Sequence, residues 1–220
     1  MSITSKHTLI IFLSLFSLAA LVFAADYPTP SVSTEAALAN LKEGNARFAT
    51  HEVSQGKPNA AKRAETAQTQ RPFAIVVACA DSRTSPELIF DHNIGDLFVV
   101  RTAGNLVDDY GLGSIEYSVN HLGARLIVVV GHDGCGAVKA ALTSDTAPGH
   151  IESLVRGIQP AIKAVKGKEG DPLHLAITKN ARLMADKIRS QTDFGELAKE
   201  VRIVFGVYDL TTGKVDWGKD

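Results

Sequence analysis

Four continuous apolar runs are the strongest pattern along the chain, and segments with helical periodicity separate them. The runs cover residues 73–78, 97–100, 126–130 and 201–207. Apolar residues recur at helical spacing over roughly 85–91, 111–122, 135–143, 150–165 and 172–190. Apolar strands that alternate with helices are typical of a parallel sheet buried on both faces. We therefore expect a single α/β domain with about four parallel strands, plus an antiparallel edge strand after the turn at 209–213, flanked by helices.

An additional helix is predicted before the first apolar run, over an N-terminal arm at 33–50. Ser33 and Thr34 offer an N-cap. Polar Asn45 interrupts the apolar stripe, which consists of Leu38, Leu41 and Phe48. Such a stripe must be buried. The pattern leaves open whether the arm packs on its own domain or on another subunit.

The first residues form a separate kind of segment. Lys6 and His7 precede an apolar run over 8–24 that ends in small residues, which predicts a signal peptide over 1–24 with cleavage after Ala24. The alternative is an uncleaved membrane anchor, but the run is short of the roughly 20 residues that span a bilayer. We expect a linker over 25–32, export to the periplasm or the exterior, and no stable membrane association after cleavage.

Composition and charge limit the number of domains and the classes of partner. A length of 220 residues with 45% hydrophobic content suits one domain with a substantial core, which we place at 33–220. The formal charge of −1 and the lack of a basic run give no electrostatic footprint for nucleic acid. Asp96 and Arg101, which flank the second apolar run, are expected to make structural ion pairs.

The only two cysteines of the chain stand where predicted strands end, and a histidine accompanies them. Cys79 closes the first apolar run, while His132 and Cys135 follow the third. Ligands of open α/β sheets collect at the carboxyl ends of strands. Two thiolates and one imidazole make a zinc site with three protein ligands, and catalytic zinc sites leave the fourth position to water. The residues therefore predict one catalytic Zn²⁺ per chain.

A disulfide between Cys79 and Cys135 is the structural alternative, because oxidising compartments favour disulfides. It would not call for His132 at this spacing, nor for Asp81 and Arg83 just beyond Cys79. Asp81 is the candidate acceptor that orients a zinc-bound hydroxide. Arg83 can hold Asp81 away from the metal by a bidentate pair, without which Asp81 becomes a possible fourth ligand in a closed state. A surface salt bridge is the alternative reading of that pair.

Taken together, these segments resemble the beta-class carbonic anhydrases, of an exported bacterial type. The resemblance extends from about Glu35 to Trp217. The segments that carry it are Cys-Ala-Asp-Ser-Arg at 79–83, Gly-Asp-Leu-Phe-Val-Val-Arg-Thr-Ala-Gly-Asn at 95–105, Ile-Glu-Tyr at 115–117, Gly-His-Asp-Gly-Cys-Gly at 131–136 and the final hairpin at 207–215.

The resemblance implies a function and roles for individual residues. The reaction would be reversible hydration of carbon dioxide to bicarbonate and a proton, by attack of zinc-bound hydroxide oriented by the dyad of Asp81 and Arg83. A homo-oligomer built on dimers is also implied, because the family's pocket lies at a dimer interface and some of its residues would serve the neighbouring subunit's zinc. The implied zinc ligands are Cys79, His132 and Cys135, and the implied pocket residues are Gln70, Phe98, Tyr117 and Gly136.

The sequence departs from the family pattern at two positions, and other functions are compatible with it. Val76 stands where bicarbonate-inhibited relatives have tryptophan, and Ala103 replaces a larger aliphatic residue. A carbon disulfide or carbonyl sulfide hydrolase on the same fold is one alternative function. A non-catalytic scaffold protein with structural zinc is another. A thiol-disulfide protein is disfavoured because the chain has no Cys-x-x-Cys.

Overall fold

A computed structural model describes residues 27–52 and 60–218 of the protein. The predicted signal peptide at 1–24 lies outside the described residues. Within the described ranges, no helix is both long enough and apolar enough to span a membrane.

The centre of the fold is a five-stranded sheet with the order β2-β1-β3-β4-β5. The first four strands in sequence are parallel, and β5 pairs antiparallel with β4 at the edge. This sheet confirms the predicted α/β fold. The strands are β1 (Ala74–Cys79), β2 (Leu97–Thr102), β3 (Leu126–His132), β4 (Arg202–Tyr208) and β5 (Val215–Trp217).

Seven α-helices in the described residues connect and cover the strands. Asp108 and Asp171 cap two of them by accepting backbone N–H bonds in the first turn. The α2 helix was not predicted, because none of its residues is buried and it therefore carries no apolar stripe. The helices are α1 (Thr34–Ala49), α2 (Ala60–Thr66), α3 (Pro86–Ile89), α4 (Asp109–Leu122), α5 (Gly136–Thr143), α6 (Ile151–Val165) and α7 (Pro172–Gln191).

Both faces of the sheet are covered, which explains why β1 and β3 read as unbroken apolar runs. Successive side chains of a strand point to opposite faces. On one face Ile75 and Ile127 pack in a cluster with residues of α4 and α7. On the other face Val76 and Val128 pack in a cluster with residues of α1 and α3. Every residue of β1 and β3 is consequently buried.

The α1 helix packs on its own domain. Ala37, Leu38 and Leu41 belong to the same buried cluster as alternate residues of β1 and β3. Arg47 adds an ion pair at 2.6 Å to Asp91, whose side chain is fully buried. Of the two placements that the sequence left open for the arm, the structure therefore has the intramolecular one.

Asn45, the polar residue within the stripe of α1, docks the helix against the rest of the domain. The residue is 5% exposed. Its Nδ2 donates to the carbonyl oxygens of Ile89 at 3.0 Å and Gly213 at 2.8 Å. Its Oδ1 accepts from the backbone N–H of Val215 at 2.8 Å. One side chain thus joins α1 to the end of α3 and to the final hairpin.

Replacing Asn45 by alanine is expected to lower the free energy of unfolding by about 2–4 kcal/mol, because three backbone groups, two of them buried, lose their partner. Urea unfolding of the wild type and Asn45→Ala measures the difference. Metal content of the folded variant should not change, since Asn45 lies on the face of α1 that meets the hairpin. A loss of less than about 0.5 kcal/mol, the usual range for surface substitutions, would contradict this role.

Candidate metal centre

The carboxyl ends of β1 and β3 lie side by side at the point where the strand order reverses. The chain runs from β1 to β2 on one side and from β3 to β4 on the other, which makes the gap between β1 and β3 the switch point of the sheet. Cys79 is the last residue of β1 and His132 the last residue of β3. Cys135 stands immediately before α5. The topology therefore brings all three predicted ligands to one place.

The three side chains have the spacing that a tetrahedral zinc ion requires. The ligand atoms of Cys79, His132 and Cys135 all lie within 4.8 Å of one another, and all three residues are buried. The two sulfur atoms are 4.0 Å apart. Thiolates bound at about 2.3 Å to a tetrahedral ion are about 3.8 Å apart. Both cysteines are free thiols, so the disulfide alternative does not hold in this structure.

The imidazole of His132 is oriented as a metal ligand. Its Nδ1 lies 2.9 Å from the carbonyl oxygen of Asp133, to which it donates in the tautomer that leaves Nε2 unprotonated. Nε2 is buried and has no hydrogen-bond partner in the part of the chain that the structure describes. A buried nitrogen lone pair without a partner is costly, and a metal ion at this position would satisfy it. The residues therefore fit a bound zinc.

Cys79 is the more acidic of the two thiols. The hydrogen bond from Cys135 lowers the pKa of Cys79 most, burial opposes this effect, and the neighbouring His132 also lowers the pKa. The pKa of Cys135 is raised, because its proton is shared with the Cys79 thiolate and because it is buried. For His132 burial lowers the pKa, but the Cys79 thiolate outweighs it and the net shift is upward. The pair holds one proton that a cation would displace.

Asp81 and Arg83 form a bidentate pair beside this cluster. Arg83 donates from Nε to Oδ1 of Asp81 at 2.9 Å and from Nη2 to Oδ2 at 2.7 Å. The backbone N–H of Arg83 adds a third bond to Oδ1 at 3.0 Å. The pKa of Asp81 is held well below its usual range, chiefly by the guanidinium. Oδ2 of Asp81 is 3.8 Å from Nε2 of His132, so the carboxylate borders the ligand cluster.

Arg101 supports the same loop in a way that the sequence did not reveal. The expected ion pair is absent from its described contacts. Instead Nε donates to the carbonyl oxygen of Cys79 at 2.9 Å and Nη2 to that of Asp81 at 2.7 Å. Thr84 donates its hydroxyl proton to either of these oxygens, at 3.1 and 3.0 Å. Asp96, the other residue of that expectation, does lie 3.5 Å from Lys62.

Of the predicted pocket residues, the chain brings only Gly136 to the cluster. Gly136 follows Cys135 directly, and a Cβ at this position would meet no atom within 4 Å. Gln70 is exposed in the segment before β1. Phe98 pairs with Ile75 and lies four residues before the end of β2, about 13 Å along the strand. Tyr117 is 50% exposed on α4, beside His121.

Residues 74–215 match the family model described as carbonic anhydrase. This chain belongs to the carbonic anhydrase family. A carbonic anhydrase from Mycolicibacterium smegmatis is 44% identical over 137 residues, which cover 60% of this chain and 66% of that protein. One from Pseudomonas aeruginosa is 32% identical over 166 residues, which cover 68% of this chain and 74% of that protein. The segment matched in the first of these relatives is thus slightly less than two thirds of its length.

Solved structures place the chain in the beta class of the carbonic anhydrase family. The beta-carbonic anhydrase of Coccomyxa, solved in complex with acetazolamide, is 28% identical with a TM-score of 0.63 over 82% of this chain and 85% of that chain. Two tetrameric beta-carbonic anhydrases from Sordaria macrospora were solved together, and the match from that work has a TM-score of 0.65 at 22% identity, over 83% of this chain and 95% of that chain. At that identity the second likeness concerns the fold.

Proposed function

We propose that this carbonic anhydrase homologue is a zinc enzyme that converts carbon dioxide and water reversibly to bicarbonate and a proton. The observation that carries the proposal is the buried cluster of Cys79, His132 and Cys135, in which Nε2 of His132 has no partner among the described residues. The Asp81–Arg83 pair lies beside it. A structural zinc site would have four protein ligands. Among the residues that the structure describes, Asp81 is the further candidate beside the cluster, and Arg83 donates to both of its oxygens.

Each residue of the site has a separable task. Zinc, when bound, supplies Lewis acidity, which lowers the pKa of a water ligand to near 7. Cys79, His132 and Cys135 would hold the ion. Asp81 remains ionised because Arg83 lowers its pKa, so it can accept a hydrogen bond from the attacking oxygen and aim a lone pair of that oxygen at the carbon of carbon dioxide. Arg83 keeps Asp81 in that position.

Stopped-flow measurement of carbon dioxide hydration by the zinc-loaded mature protein tests the function. Turnover that disappears on chelation and returns with zinc is the expected result. Carbon disulfide and carbonyl sulfide are assayed in parallel, because a hydrolase of these compounds on the same fold would turn over these substrates and not carbon dioxide. A scaffold protein with structural zinc would bind the metal without turnover of any of the three.

We also propose that the working form is a homo-oligomer built on dimers, with a pocket completed by the neighbouring subunit. Two observations within one chain support the proposal. Phe98 lies far from the carboxyl end of its strand, and Gln70 is exposed and takes no part in the described contacts of the cluster. If these residues line a pocket at the metal, a second copy must supply them. Tyr110 and Tyr117 expose one aromatic face of α4, at 88% and 50%, where a partner can pack.

Complementation between inactive subunits is expected if the pocket is shared. Co-expressed Cys79→Ser and Gln70→Ala chains should be more active than either alone, because hybrid dimers contain one site with both zinc and Gln70. The matched control pairs Cys79→Ser with Asp81→Asn, whose defects lie in the same chain's site, and no rescue should occur. Rescue in neither pair, or a fully active monomer in light scattering, would contradict the shared pocket.

We further propose that residues 1–24 are a cleaved signal peptide and that the protein works in the periplasm or outside the cell. The charged start and the apolar run ending at Ala24 support this. The described chain is held to the domain from Pro28 onward, since Arg125 donates to its carbonyl oxygen at 3.1 Å and Arg71 to that of Thr29 at 3.1 Å. N-terminal sequencing of the protein from a periplasmic fraction should give Ala25. Recovery of the uncleaved chain in membranes would refute it.

A further inference from the structure

Two backbone amides donate to the sulfur of Cys79, those of Asp81 and Gly104. The nitrogen of Gly104 lies 3.2 Å from this sulfur. Gly104 is buried in the short 3-10 turn at 103–105 that follows β2. A hydrogen bond to a thiolate draws negative charge away from the sulfur. The orientation of this amide therefore influences how strongly Cys79 donates to a metal.

The geometry at Gly104 is tightly constrained. Its φ of 72° lies in the left-handed region, which glycine adopts without the steric cost of a side chain. A Cβ there would stand 2.9 Å from Cδ1 of Ile158. The N–H and the carbonyl of Gly104 belong to two peptide planes that meet at its Cα. Because the turn holds Gly104 at φ 72° and ψ 20°, fixing the carbonyl plane helps to fix the direction of the N–H.

Asn180 of α7 fixes that carbonyl. Its Nδ2 donates to the oxygen of Gly104 at 2.8 Å, and the residue is 1% exposed. Its Oδ1 is buried and accepts from no group in the part of the chain that the structure describes. An apolar residue would fill this position without burying an unpaired acceptor. The asparagine is thus placed for its donor, and the bond is the side-chain link from α7 to the turn that touches Cys79.

We propose that Asn180 is a positioning residue of the metal centre, which aims the Gly104 N–H at the Cys79 sulfur. By this means it lowers the charge that Cys79 donates and keeps the sulfur in place for the metal. The inference rests on the proposed zinc site, but it concerns the residues behind that site. It adds to the three ligands a donor chain that runs from α7 through Gly104 to Cys79.

The test compares two variants of α7 in the full mature chain. Asn180→Leu removes the donor while keeping a similar shape. Lys187→Met is the matched control, because Nζ of Lys187 donates to the carbonyl of Val107 at 2.6 Å, in the same connection but beyond the turn that touches Cys79. Thermal unfolding of both variants reports their folding, and Asn180→Ala is the second variant if leucine does not fit.

Three readouts besides turnover measure the effect. Zinc affinity from competition with a chelator should fall about tenfold or more in Asn180→Leu, because the Cys79 sulfur is no longer held in place, and stay unchanged in Lys187→Met. The thiolate-to-cobalt charge-transfer band of the cobalt-substituted protein should move to lower energy in Asn180→Leu alone, because the sulfur becomes richer in electrons. In the ¹¹³Cd-substituted wild type, the Gly104 amide proton should couple to cadmium through the hydrogen bond to sulfur. The Asn180 variants should weaken that coupling.

Each of these measurements can overturn the role of Asn180. A charge-transfer band and affinity that are the same in Asn180→Leu as in the wild type would overturn the inference, as would equal changes in Lys187→Met. Absence of the Gly104 coupling in the wild type would overturn it even if no Asn180 variant folds. None of these outcomes would contradict the proposed hydration of carbon dioxide. A wild-type protein that binds no zinc, cobalt or cadmium would instead refute the proposed function and this inference together.

Discussion

Cys79→Ser is expected to lose the metal and the activity together. The substitution removes one of three ligands and leaves His132 and Cys135, too few to hold zinc in a tetrahedral site. Metal analysis of wild-type protein produced in zinc-replete medium should give about one zinc per chain, since the described residues contain a single group of this type. The variant should contain none, with turnover at background.

The fate of the thiols separates this expectation from its rival. Wild-type protein with both cysteines paired and no zinc would overturn the metal site, because the structure has both as free thiols. A Cys79→Ser protein that kept zinc and turnover would remove Cys79 from the ligand set. Asn45→Ala serves as the control for indirect loss, since it is expected to weaken the fold without touching the cluster.

Arg83→Ala and Asp81→Asn are expected to impair catalysis by opposite routes, both with zinc retained. Oδ2 of Asp81 lies 3.8 Å from Nε2 of His132. Without the two hydrogen bonds from Arg83, the Asp81 carboxylate is free to bind the metal, and activity should fall about 100-fold. The asparagine in Asp81→Asn has no charge, so it cannot bind the metal as an anion. It should leave the coordination position open and lower turnover by about 10–100-fold through lost orientation of the attacking oxygen.

Spectroscopy of the cobalt-substituted proteins near pH 7 distinguishes the two routes. Arg83→Ala should show four protein ligands, whereas Asp81→Asn should show three and a solvent molecule. Arg83→Lys is the graded control, because lysine keeps the charge without the planar fork that matches a carboxylate. The wild type should also show bound solvent, since Val76 stands in place of the tryptophan of bicarbonate-inhibited relatives. Four protein ligands in the wild type would mean that Asp81 gates this site despite Val76.

The sequence predicted the regular elements well wherever one physical signal dominated. The β1 and β3 runs were readable because both faces of each strand are buried, and α7 because it has a capping Asp171, Pro172 in its first turn and a long apolar face. The α2 helix has no buried face and so gave no signal. The candidate ligand set was predicted from side-chain chemistry, because cysteine and histidine side chains together at strand ends are typical of a metal site.

Other features depended on contacts between distant parts of the chain. In the sequence Asn45 only interrupts an apolar stripe. In the structure its amide forms hydrogen bonds with backbone groups of Ile89, Gly213 and Val215, which only the folded chain brings near. Arg101 was expected in an ion pair and instead holds the carbonyl oxygens of Cys79 and Asp81. Such roles are invisible in the sequence because the acceptors are backbone atoms, which every residue has.

By itself the sequence determined the type of fold, the candidate ligand set of Cys79, His132 and Cys135, and the spacing of Asp81 and Arg83, because these depend on local periodicity and on the chemistry of particular side chains. Only the tertiary structure decided that β1 and β3 are neighbours at the switch point of the sheet. It also decided that α1 packs on its own domain and that Asn180 reaches Gly104 behind the metal site. These are long-range contacts, and their partners are chosen by the order of strands and the packing of helices.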